Sequence, residues 1–162
     1  MTPTSYLRLD DPDYNGPDPM SYRLHAWHYL LCAEYSIKGY KDQHQTEPNM
    51  MLNVPLLFLI SHAVEMLLKL ALYKSGSSDS DWKSIDLRHN LSALMANCEA
   101  VGVVFNNELK VMINALSPLH SSHALRYTAF GDKIKWLPFS PSEMIELARK
   151  LIGASHPSQR AT

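Results

Sequence analysis

The chain has 162 residues, 46% of them hydrophobic, and its 15 basic and 16 acidic side chains leave a formal net charge of −1. That length fits one globular domain with a single core and leaves no room for a second domain of ordinary size. The charge balance excludes a broadly basic nucleic-acid binder, although it is uneven along the chain: residues 1 to 20 set Arg8 against Asp10, Asp11, Asp13 and Asp18, whereas residues 110 to 142 set Lys110, Arg126, Lys133 and Lys135 against Asp132.

Residues 1–17 carry Pro3, Pro12 and Pro17 among those aspartates and are expected to form a flexible acidic arm. No basic, apolar leader follows Met1. Cys32 and Cys98 fit no metal or redox spacing and fall on apolar helix faces, so both are expected as reduced core residues of a cytoplasmic protein.

A first helix is expected from Asp18, with Pro19 where its missing N–H costs nothing, to about Gly39. Trp27, Leu30, Leu31, Cys32, Ala33 and Ile37 supply its buried side. The polar stretch from Tyr40 to Asn53 reads as a loop, with an extension of the first helix into its start as the alternative. A second helix starts near Asn53, holds Pro55 in its first turn and ends near Lys74 before SGSSDSD. Its apolar run is long enough to span a bilayer, but His62, Glu65 and Lys69 would be expensive in hydrocarbon, so it reads as the central buried helix of a domain with no membrane role. Those three residues share one narrow stripe of an otherwise apolar helix.

Leu87, Leu91, Leu94, Met95, Cys98 and Val101 follow at helical spacing, with Gly102 as a stop. A fourth helix opens at Asn106 or Asn107, buries Leu109, Met112, Ile113 and Leu116, and is interrupted by Pro118. Two short runs about Gly131-Asp132 read as a small β-hairpin. The last helix is announced by SPSE at 140 to 143, with Ser140 as N-cap, Pro141 in the first position and Glu143 completing a capping box. Met144, Ile145, Ala148, Leu151 and Ile152 form its apolar face, Gly153 stops it, and residues 154–162 are expected to be a disordered tail. The expected fold is mainly all-α, a bundle of about five helices over 18–153 with the hairpin before the last.

Two constellations carry chemistry. His62, Glu65 and Lys69 can serve as an acid–base group, or Glu65 can simply pair with Lys69 while His62 is a hydrogen-bonded core residue. A metal on His62 and Glu65 lacks further ligands in sequence, and His120-x-x-His123 has no neighbouring cysteine or carboxylate, so no metal or cofactor is expected. His120 and His123 with Arg126 suit a phosphate ester better, since guanidinium holds phosphate oxygens in pairs and imidazole moves a proton near neutral pH. The alternative is a structural corner from Pro118 to Tyr127. No GxSxG elbow, phosphate-binding glycine loop or dinucleotide fingerprint occurs.

HAVEMLLKLALYKSG at 62–76, DLRHNLSALM at 86–95 and HSSHALRY at 120–127 together resemble the HEPN superfamily of small helical domains. Glu65, Leu68 and Lys69 match its long central helix; His89, Asn90, Leu91 and Leu94 match its His-Asp-Leu-x-x-Leu helix with Asn for Asp. The resemblance implies a homodimer that binds RNA or a nucleotide, often as a metal-independent ribonuclease of toxin–antitoxin or phage-defence systems. It leaves open whether this chain is an enzyme, because the Arg, short spacer, His element of active members is not in its place: after Arg126 the next histidine is His156. The candidate catalytic residues are His120, His123 and Arg126, and the candidate binding residues His89, Tyr127, Glu65 and His62. The competing expectation is a non-catalytic helical module whose partner is another protein.

Overall fold

The computed structural model describes residues 19–44, 50–77, 87–122, 125 and 137–154. Among them are five helices and no strand: α1 (Pro19–His44), α2 (Met50–Lys74), α3 (Leu91–Ala100), α4 (Asn107–Ser121) and α5 (Pro141–Ala154). Of the two runs of the expected hairpin, 124–130 and 133–139, only residues 125 and 137–139 are described, and none of them is in a strand, so the hairpin is not supported. The arm at 1–17 lies outside them as well, and so does the expected tail at 154–162 except Ala154, which is helical and carries the last helix one residue past Gly153.

Helix α2 organises the rest, because it packs against each of the other four helices. Leu56, Ile60, Leu67, Leu68 and Leu70 on it are fully buried. Of these, Leu56, Ile60, Leu67 and Leu68 share one core with Leu30 of α1, Leu94 of α3, Met112 and Leu116 of α4, and Met144 and Ala148 of α5. Truncating a leucine in such a position costs about 2–5 kcal/mol. The segment Asn53–Lys74 has the length and mean hydropathy, 1.7, of a membrane-spanning helix, yet 67% of its most apolar 18-residue window is buried inside the bundle.

Helix ends follow local chemistry. Ser140 and Glu143 cap α5 reciprocally: the Ser140 backbone N–H donates to Glu143 Oε2 over 2.7 Å and the Glu143 N–H to Ser140 Oγ over 3.3 Å. Helices α2 and α3 both close on a glycine in the left-handed region, Gly76 at φ 85° and Gly102 at φ 91°. The N–H groups of Ser77 and Val103 then reach back to the carbonyls of Leu72 and Cys98.

Several expectations need correction. Helix α1 runs past Gly39 to His44, since nothing crowds that glycine and one glycine costs a helix only about 1 kcal/mol. Helix α2 begins three residues before Asn53, with Pro55 exposed inside it. Leu87 belongs to a turn, and α3 starts only after Asn90, whose side chain accepts from the Ala93 N–H. Pro118 does not interrupt α4: it sits exposed in its last full turn, where its ring meets solvent and only one backbone hydrogen bond is forgone. Cys32 and Trp27 are exposed rather than buried, because α1 is apolar on more than the one side that α2 covers. Cys98 is buried as expected.

A buried carboxylate ringed by histidines

The polar stripe of α2 lies at the centre of the bundle. Glu65 is 2% exposed and His120 4%. Lys69, one turn along the same face, donates from Nζ to Glu65 Oε1 over 2.5 Å and to the Arg88 carbonyl over 3.2 Å. The other carboxylate oxygen faces three imidazoles. His120 Nε2 stands 2.5 Å from Oε2, His89 Nδ1 3.1 Å, and His62 Nδ1 4.0 Å. A carboxylate has only acceptors, so the nitrogens of His120 and His89 that touch it carry the hydrogen.

Each histidine arrives on a different piece of backbone. His62 is one turn before Glu65 on α2, and its ring packs against Phe58, Tyr29 of α1 and the His120 ring. His89 is in the turn ahead of α3, immediately before the capping residue Asn90. His120 is in the last turn of α4. A set of polar contacts fixes α3 against α4: Ser117 Oγ donates to Asn90 Oδ1 over 3.1 Å, and accepts from the Ser92 N–H over 3.0 Å. Ser92 Oγ donates to Asn114 Oδ1 over 2.7 Å. Ser117 is three residues before His120 and Asn90 adjoins His89, so this lock sets the positions of both rings.

The electrostatics follow from that packing. Burial by itself would raise the pKa of Glu65, but the hydrogen bond from His120, the charge and hydrogen bond of Lys69, and the hydrogen bond from His89 outweigh it and bring the group from 4.5 to about 2. Burial lowers the pKa of His89, and the hydrogen bond and charge of Glu65 recover only part of the loss, so its neutral form is favoured. The thiol of Cys98 is pushed up to about 12, by burial first and by Glu99 second, which makes it inert as a nucleophile.

Of the residues singled out in the sequence, the fold brings together His62, Glu65, His89 and His120. His120 belongs to a helix and to the core, not to an open corner. His123, Arg126 and Tyr127 lie outside the described residues. Sequence reasoning missed the lock of Asn90, Ser92, Asn114 and Ser117, and the tie from Lys69 to the Arg88 backbone. The i,i+4 spacing of Glu65 and Lys69 was its only local trace.

A second surface feature lies away from this cluster. Met20, Arg23, Leu24 and Trp27 of α1 line an open groove with Ile152 of α5. Met20, Leu24 and Trp27 are each more than two-fifths exposed. No family model, curated protein or solved structure matches the chain, so the HEPN resemblance rests on its sequence motifs alone.

Proposed function

We propose that the chain is a HEPN-like domain that binds RNA or a nucleotide where His89 reaches the surface, with metal-independent cleavage of a phosphate ester as the chemistry such a site would perform. The observation that supports this is one buried carboxylate holding imidazoles from two other segments, one of them partly open to solvent. The His89 side chain is 24% exposed, against 2% for Glu65. A carboxylate behind an imidazole fixes its orientation and tautomer, and the outward ring can then take or give a proton. Arg88 is exposed beside it and supplies the cation a phosphate needs. Arg126, His123 and Tyr127 follow the end of α4 and join the same proposal as phosphate-holding, proton-moving and stacking groups. On the resemblance, the domain acts as a cytoplasmic homodimer in a toxin or phage-defence setting.

A second reading has its own support. The exposed apolar residues of the α1/α5 groove suit a protein partner, and the burial of Glu65 and His120 suits a purely structural network. One experiment separates the two. Labelled total RNA is incubated, with chelator present, with the wild-type protein and with folded His89→Ala and Arg126→Ala variants. Cleavage or salt-sensitive binding lost in both variants supports the RNA reading. Neither activity in the wild type would leave the interaction module.

A further inference from the structure

We propose that His62, Glu65 and His120, with His89 as fourth ligand, form a binding site for a divalent transition-metal ion of the zinc class. The donor set is the first argument. Three imidazoles and one carboxylate suit Zn²⁺ or Co²⁺, whereas Mg²⁺ and Ca²⁺ favour oxygen-rich sites.

Geometry is the second. Bonds of about 2.0–2.1 Å to a tetrahedral ion set neighbouring donors about 3.3 Å apart. Around Glu65 Oε2 the three ring nitrogens stand at 2.5, 3.1 and 4.0 Å, values that straddle that edge. The donor atoms of His62, Glu65 and His120 all lie within 4.8 Å of one another. For His62, Glu65 and His120, reaching that edge means closing at most about 1.5 Å between any two donors.

His62 is the third. Its Nδ1 faces Oε2 at 4.0 Å, a separation that an ion between the two atoms would span. A central ion would bring that nitrogen, Oε2 and the His120 nitrogen, which already lie within 4.8 Å of one another, onto one centre. Lys69 binds the opposite oxygen, Oε1, and leaves Oε2 directed at the rings. Its charge also repels an incoming cation, which holds the affinity down.

The inference does not rest on the RNA reading. Binding would displace the hydrogens that His120 Nε2 and His89 Nδ1 direct at Oε2, to the other nitrogen of each ring or to solvent, and would occupy the lone pairs that proton transfer uses, so occupancy would inhibit metal-free cleavage rather than drive it.

The test needs no RNA. The full chain is stripped with chelator, then titrated with Zn²⁺ by calorimetry and with Co²⁺ by visible absorption. One ion per chain, the intense d–d bands of four-coordinate Co²⁺ and a raised thermal midpoint are expected. His62→Phe keeps a ring packed against Phe58 and Tyr29 but removes the ligand nitrogen. It should bind at least about tenfold more weakly, and Zn²⁺ should raise its thermal midpoint less than it raises that of the wild type. Lys69→Met, where it folds, should bind more tightly. No binding by the wild type would overturn the proposal. So would binding that His62→Phe leaves unchanged, which would place the ion elsewhere, for instance on the exposed His25 and His28 of α1.

Discussion

Two ion pairs in this molecule have nearly the same length and opposite surroundings. Lys69 meets Glu65 over 2.5 Å inside the bundle, with side chains 11% and 2% exposed. Arg149 of α5 meets Glu34 of α1 over 2.6 Å at the surface, with side chains 36% and 45% exposed, and its guanidinium also lies 5.6 Å from the centre of the Trp27 ring. Distance alone would rank the two as equals. Burial separates them, because water screens the outer pair and supplies either partner if the other is lost, while nothing replaces a missing partner in the core. The inner pair is also the base of a larger structure, since His89 and His120 share its carboxylate.

The sharpest way to test that contrast is to remove the buried acid. Glu65→Ala strands Lys69, His89 and His120 without their common acceptor, and urea unfolding should show a loss of about 3–5 kcal/mol. A loss under about 1 kcal/mol would mean that the network contributes no more than the surface pair does.

Acid should produce a comparable change without mutation, in protein kept metal-free by chelator. Glu65 titrates lower in the folded chain, at about 2, than its ordinary 4.5. Its contribution is therefore present above pH 4.5 and lost as pH falls toward 2, and the gap corresponds to about 3 kcal/mol. The pKa of His89 is also lowered on folding, so the unfolded chain takes up that proton first and stability begins to decline below pH 6.5. Unfolding free energy measured from pH 7.5 to 3 should fall throughout, and the difference between wild type and Glu65→Gln should shrink below pH 4.5. A flat difference would exclude the carboxylate as its origin.

The smallest effect belongs to the outer pair. Arg149→Ala should cost under about 1 kcal/mol, part of it from lost packing on Trp27, and added salt should diminish it. A larger and salt-insensitive loss would show that exposure is a poor guide to these pairs.

The comparison also marks what could be read in the sequence. Regular periodicity and capping residues announced all five helices, and the stripe of His62, Glu65 and Lys69 announced that the most apolar helix carried something polar inward. Local rules could not supply its partners. His89 and His120 lie 24 and 55 residues from Glu65, and only the packing of α3 and α4 onto α2 brings them there. Reading Pro118 as a break placed His120 in a loop, because the rule that proline ends helices ignores tertiary bonds made beyond it. Trp27 and Cys32 were misplaced for a related reason: α1 shows apolar residues on two sides, and periodicity does not say which side meets the core.

Pro118 has a kinetic consequence. It removes one rung from the amide ladder of α4 just before the turn that carries His120. Beyond its own helical amide bonds, that turn is held by the Ser122 N–H to Pro118 carbonyl bond, by Ser122 Oγ on the same carbonyl, and by the grip of His120 on Glu65. It opens more readily than the turns before it, as a sub-global unit of its own. Exchange of the Leu119, His120 and Ser121 amides with deuterated solvent would thus report, residue by residue, on whether the carboxylate at the centre of the bundle still holds its histidine.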